Sequence, residues 1–268
     1  MKCSVKDVAV NYEVYGDGKA VIMLHGYSPD HRLMTGCMEP VFEKRAGYKR
    51  IYIDLPGMGK TKGEDWVNSS DVVLDILLDF IDMLVPGENF LLAGESYGGY
   101  LSRGIIYKMP HRIDGLFLLC PKILDGKQKK DVPSHVVLKR DDDLLAKLDP
   151  PDAKAFDAMH VVQNAGIWRR YRDEILSGIN LADFGFLRKL KTKFSFEDTL
   201  NETFTKPTLF LLGRQDASVG YKDAWNILDN YPRATFAVLD KAGHNLQLEQ
   251  VEVFNCLVDE WITRVEEE

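Results

Sequence analysis

The segment Gly94-Glu95-Ser96-Tyr97-Gly98 places a serine between glycines where the sequence changes character. The apolar run Asn89-Phe90-Leu91-Leu92-Ala93 leads in, and the helix-like run Tyr100-Leu101-Ser102-Arg103-Gly104-Ile105-Ile106 leads out. A strand, a sharp turn and a helix in that order put strained backbone angles on the serine and present its hydroxyl at the C-terminal edge of a sheet. The positive end of the helix then lies beside it. A serine hydroxyl is a weak nucleophile at neutral pH and needs a base. His244 supplies one, in Lys241-Ala242-Gly243-His244 after the run Ala234-Thr235-Phe236-Ala237-Val238-Leu239. Asp216 follows Thr208-Leu209-Phe210-Leu211-Leu212, and its carboxylate suits the Nδ1 proton of that imidazole. Ser96, Asp216 and His244 are thus the candidate nucleophile, acid and base, each just past an expected strand.

Other residues compete for these roles. Asp125 is a rival acid, although it stands five residues past the end of its strand at Cys120. His25 belongs to a His-Gly turn and reads as a structural hydrogen-bonding residue. His31, His111, His135 and His160 read as surface or insertion residues without metal-ligand spacing, so no catalytic metal and no cofactor are expected. Leu24-His25-Gly26-Tyr27 ends an earlier strand, and the Tyr27 amide can converge with the Tyr97 amide on one oxyanion; Ser28 is the substitute for Tyr27. Gly59-Lys60-Thr61 imitates the end of a phosphate-binding loop. Asp54 stands where its first glycine belongs, Pro56 lacks an amide donor, and no helix follows. That reading is rejected. Glu95, beside the serine, is a carboxylate able to tune the site, although packing or turn anchoring is the stronger reading.

The elements that must hold these groups alternate. Residues 4–15 read as a half-exposed antiparallel edge strand, and 20–25, 50–54, 89–93 and 113–120 as buried strands. Helices are expected over 31–46 and 71–84. From 121 to 206 the alternation stops, and helices over 144–148, 153–164 and 167–176 lie among charged loops. It resumes with strand 208–213, helix 221–230, strand 234–239 and helix 247–265. A mostly parallel central sheet with helices on both faces follows. The expected core is 1–120 with 207–268, and 121–206 forms a helical lid. Phe156, Met159, Trp168 and Tyr171 are its candidate substrate-binding residues, with Phe184 and Phe186 as further lining. Arg169, Arg170 and Arg172 form a solvated helix face or meet a substrate carboxylate.

Length, 268 residues, allows one large α/β domain with a modest insertion. A net charge of −7 without a long basic run argues against nucleic acid. No apolar stretch approaches a membrane span and the N-terminus carries no apolar signal segment, so a cytoplasmic location is expected. The four cysteines are far apart, as reduced thiols would be.

As an ordered set, His25-Gly26-Tyr27, Asp54-Leu55-Pro56-Gly57-Met58-Gly59, Gly94-Glu95-Ser96-Tyr97-Gly98-Gly99, Gly213-Arg214-Gln215-Asp216 and Ala242-Gly243-His244 resemble the α/β-hydrolase superfamily. The resemblance implies its fold, a lid between the sixth and seventh strands, and the roles given above to Ser96, Asp216, His244, Tyr27 and Tyr97. Serine rather than aspartate at 96 disfavours dehalogenases and epoxide hydrolases. The absence of a His-Gly-Gly-Pro-Gly run disfavours proline iminopeptidases. The leading expectation is a serine hydrolase of small to medium carboxylic esters or related acyl compounds, acting through an acyl-enzyme. Alternatives are a slow ligand sensor on the same fold and a carbon–carbon bond hydrolase or lyase using the same triad.

Overall fold

The computed structural model describes residues 1–124, 132–201 and 203–268. Its strands are β1 (Lys2–Val5), β2 (Val8–Tyr15), β3 (Lys19–Leu24), β4 (Tyr48–Ile53), β5 (Phe90–Glu95), β6 (Ile113–Leu119), β7 (Thr208–Gly213) and β8 (Ala234–Leu239). They form one sheet in the order β1-β2-β4-β3-β5-β6-β7-β8. Every pairing from β4 through β8 is parallel, and β2 is antiparallel to both β1 and β4. The helices are α1 (Arg32–Phe42), α2 (Ser70–Leu84), α3 (Tyr97–Lys108), α4 (Asp142–Leu145), α5 (Pro150–Met159), α6 (Ala165–Arg170), α7 (Ser177–Ile179), α8 (Phe184–Leu187), α9 (Lys222–Asn226), α10 (Leu246–Glu249) and α11 (Val251–Glu266).

The unbroken apolar strands have a simple cause: both faces of the sheet are covered. Along β3, Ala20, Ile22 and Leu24 enter the core shared with α2 and α3. Val21 and Met23 point the other way, into the core shared with α1 and α11. The N-terminal segment differs from the single edge strand expected for 4–15. It is a hairpin, and β1 takes the edge. Lys6 and Asp7 form the turn with φ of 45° and 68°, the left-handed pair that a tight hairpin needs. Neither residue is a glycine or asparagine, which is why the turn does not announce itself in the sequence.

The chain between β6 and β7 carries α4 to α8. Asp141, Asn164 and Asp183 cap α4, α6 and α8 by accepting from the amides of Leu144, Ile167 and Phe186. The expected helix over 167–176 exists as α6 followed by one wider π turn, Tyr171–Leu176. Among the described residues, no helix is long and apolar enough to cross a membrane.

Candidate active site

Strand β5 ends at Glu95 and α3 begins at Tyr97, so Ser96 makes the whole turn. Its φ of 50° and ψ of −112° lie outside the helical and extended regions, a conformation costing about 1–3 kcal/mol that surrounding contacts must hold. They do so through the Ser96 N–H to the Leu119 carbonyl at 3.0 Å, and through the Ser96 carbonyl, which accepts from Tyr100 at 3.1 Å and Lys122 at 2.9 Å. Gly98 is required by close approach, since a Cβ there would sit 2.3 Å from the Leu24 carbonyl oxygen.

The three chemically suggestive residues meet at the C-terminal edge of the sheet. Ser96 Oγ lies 3.0 Å from His244 Nε2, and His244 Nδ1 lies 2.9 Å from Asp216 Oδ2. Asp216 is fully buried. Its other oxygen accepts from the amides of Ser218 at 2.8 Å and Val219 at 3.0 Å. Burial alone would raise the Asp216 pKa, but His244 and these two amides outweigh it and hold the carboxyl below its ordinary value. Asp216 therefore stays anionic, which fixes the Nδ1–H tautomer of His244 and leaves Nε2 facing the serine. The rival acid Asp125 lies outside the described residues.

Tyr27 and Tyr97 pack edge to face, with ring centroids 5.4 Å apart. The Tyr27 hydroxyl donates to the Leu187 carbonyl at 2.5 Å and Tyr97 shares a 2.6 Å hydrogen bond with Ser70. These contacts anchor the two residues whose amides the sequence offers as oxyanion donors. Tyr97 opens α3, where amides point out along the helix axis. The substitute amide, that of Ser28, is directed instead to Met58 Sδ at 3.1 Å. His25 is buried and structural, with Nε2 accepting the Leu55 amide at 3.0 Å.

A cavity of about 190 Å³ opens on Ser96. Met159, Tyr171, Ile175 and Ile179 line it together with Ser96, Glu95 and His244. Met159 and Tyr171 thus stand where the sequence placed them. Phe156 and Trp168 are absent from the lining: both are buried against Tyr171, with ring centroids 5.8 Å and 6.1 Å from its own. Periodicity shows that a helix has an apolar face, not whether that face meets a cavity or a core. Phe186 packs over Gly57 and Gly63, and Phe184 is exposed. None of the three arginines lines the cavity. Arg170 forms a bidentate pair with Glu174 and donates to the carbonyls of Gln247 and Gly36. Arg172 pairs with Asp173, and Arg169 edges a separate surface cleft.

One further correction concerns a buried polar residue. His31 is buried rather than superficial, and its Nδ1 lies 2.6 Å from Asp54 Oδ1. His160 is fully buried, and burial pushes its pKa down to about 4. The groups Asp30-His31-Asp54 and Cys120-Asp216-His244 bring ligand-type atoms within 4.8 Å of each other. Hydrogen bonds within the protein account for both, with Arg32 held by Asp30.

Sequence reasoning missed Glu249. Its Oε2 accepts the Gly243 amide at 2.6 Å, and its Oε1 accepts the amides of Val161 at 2.6 Å and Val162 at 3.2 Å. One carboxylate so ties the His244 loop to the chain just after α5. Only an acid five residues past the histidine hints at it.

Comparison with known proteins identifies the family and the fold. The model of the family described as serine aminopeptidase, S33, matches residues 18–251. A pimeloyl-[acyl-carrier protein] methyl ester esterase of Legionella pneumophila is 23% identical over 255 residues, covering 94% of this chain and 99% of the relative. A 2-hydroxy-6-oxononadienedioate/2-hydroxy-6-oxononatrienedioate hydrolase of Burkholderia vietnamiensis is 26% identical over 270 residues, covering 96% and 92%. An alpha/beta superfamily hydrolase from Oenococcus oeni superposes with a TM-score of 0.90 at 28% identity, over 99% of each chain. An esterase from Thermogutta terrifontis shares the fold with a TM-score of 0.69 at 21% identity, over 99% and 98%.

Proposed function

Because the chain belongs to the serine aminopeptidase S33 family of α/β-hydrolases and is a hydrolase of that fold, we propose that it cleaves a small to medium carboxylic ester through an acyl-enzyme on Ser96. The observation that carries this reading is the relay from Asp216 to His244 to Ser96, at 2.9 Å and 3.0 Å, at the mouth of a largely apolar cavity. His244 takes the serine proton as Ser96 adds to the ester carbonyl. The tetrahedral oxygen sits against the amides of Tyr27 and Tyr97, each worth roughly 3 kcal/mol of barrier in comparable sites. His244 returns the proton to the departing alcohol, and water repeats the sequence to free the acid. Asp216 stays ionised and stabilises the imidazolium.

In this reading, residues 1–120 with 207–268 form the catalytic core and 121–206 a lid whose Met159, Tyr171, Ile175 and Ile179 hold the acyl chain. The cavity volume suits a short acyl group. Its lining also weighs against a dicarboxylate substrate of the carbon–carbon hydrolase type, because no arginine or lysine is among the described lining residues. A panel of methyl and p-nitrophenyl esters of graded acyl length, run beside a vinylogous diketo acid, tests the choice. Ester turnover that falls as the acyl chain outgrows the cavity is expected. Cleavage of the diketo acid with inert esters would replace this reading by the carbon–carbon one.

A further inference from the structure

Glu95 immediately precedes the serine, is 2% exposed, and lines the same cavity. Its Oε1 lies 3.3 Å from His244 Nε2, the nitrogen that also lies 3.0 Å from Ser96 Oγ. Its Oε2 is buried with no hydrogen-bond partner among the described residues. Asp54, a buried acid with a structural task, looks quite different: it accepts hydrogen bonds from Asn11, His31 and the Lys60 amide. Space for the Glu95 carboxyl is kept by Gly26, where a Cβ would fall 2.1 Å from Oε2. The turn admits a carboxyl whose neighbours are His244 and the Gly26 amide.

We propose that Glu95 is a positioning residue that competes with Ser96 for Nε2 of His244, so that one proton bound by the Glu95–His244 pair switches the serine off. The proposal rests on the triad reading above. Nδ1 keeps its hydrogen on Asp216, so Nε2 has a single in-plane position to share. When the pair holds no extra proton, Glu95 is a carboxylate, the Nε2 lone pair is open, and Ser96 donates to it. When the pair binds one proton, that proton lies between Oε1 and Nε2, as acid on imidazole or as carboxylate on imidazolium. Either way the lone pair is used, Ser96 keeps its hydrogen, and the charge on Glu95, His244 and Asp216 together goes from −2 to −1. The proton belongs to the pair and titrates with one macroscopic constant.

The groups facing Glu95 come from five segments. His244 follows β8 and Asp216 follows β7. Cys37 lies on α1 and Cys120 follows β6, both thiols held neutral by burial. The Gly26 amide faces it from the loop after β3. Burial raises the Glu95 carboxyl most, His244 lowers it, Asp216 raises it and the Gly26 amide lowers it, leaving it pushed up to about 7. The switch therefore operates near neutrality.

The test is the pH dependence of Ser96 labelling by a small fluorophosphonate, in the intact chain and in Glu95→Gln and Glu95→Met. Each rate is normalised to that protein's own alkaline plateau. For the unaltered chain, labelling should rise through a midpoint close to pH 7. Removing a carboxylate within 4 Å of Nε2 should move that midpoint about one pH unit toward acid. At pH 6 the variants then label several-fold faster relative to their plateaus. Melting curves establish which variants fold, and Glu95→Asp, which withdraws the carboxyl from Nε2, replaces one that does not. An unchanged midpoint in a folded variant overturns the proposal while leaving the triad intact. An unaltered chain that is not labelled at any pH sinks the triad reading itself.

Discussion

Replacing Glu249 by alanine removes the acceptor shared by three amides, those of Gly243, Val161 and Val162. An amide left buried without an acceptor costs about 1–3 kcal/mol. Glu249 is partly accessible, so water entering the space recovers some of that sum. A net loss of roughly 2–4 kcal/mol is the reasonable expectation. At about 2–4 °C per kcal/mol for a chain of this size, the melting temperature should fall by roughly 5–15 °C. The local consequence is sharper than the global one, because Gly243 immediately precedes His244. Its loop loses the contact fixing imidazole against Ser96, so labelling of Ser96 should slow at least tenfold even at temperatures where the variant is fully folded. Glu249→Gln keeps one carbonyl acceptor and should fall between the two. Differential scanning calorimetry and labelling kinetics on the three proteins read both effects. A melting shift below 2 °C together with unchanged labelling would refute the idea that this carboxylate joins the two segments.

Other perturbations separate structure from chemistry. Asp54→Asn should destabilise most at neutral pH. Burial works to raise the Asp54 carboxyl, but His31, His25 and the Lys60 amide hold it well below the ordinary range. A depressed folded-state pKa gives stability that is present above the unfolded value of about 3.9 and lost as pH falls toward the folded one. The gap in melting temperature should thus narrow below about pH 4. Phe156→Ala should cost about 3–5 kcal/mol of stability, since the ring is fully buried, with little change in relative acyl-chain preference. Ile175→Ala, which widens the cavity wall directly, should shift ester preference toward longer chains, as a substrate panel would show. Asp216→Asn should lower kcat by roughly two to four orders of magnitude with the fold retained, measured by ester turnover beside a melting curve.

Much of this was legible in the chain because the decisive residues sit where strands stop. A strand end is marked by the last residue of an apolar run, and Ser96, Asp216 and His244 each follow one within five residues. The mostly parallel character of the sheet followed from the alternation of strands and helices, whereas the order of its strands did not. What stayed hidden depends on contacts between segments distant in sequence. The His31–Asp54 bond joins residues 23 positions apart, and the Glu249 contacts span 6 to 88. Phe156 and Trp168 have the composition of a pocket wall, yet the direction of their helix faces is set by where Tyr171 and the sheet lie. Glu95 is visible in the sequence as a neighbour of the serine. Its approach to Nε2 required the loop after β8 to be in place.

The central claim, that His244 and Asp216 activate Ser96, is tested most directly by intact-mass spectrometry with peptide mapping after brief exposure to a fluorophosphonate. One adduct, on the peptide containing Ser96, is expected in the unaltered chain. It should be absent from Ser96→Ala and suppressed by at least a hundredfold in His244→Ala. No adduct, an adduct on another residue, or equal labelling without His244 would contradict the claim.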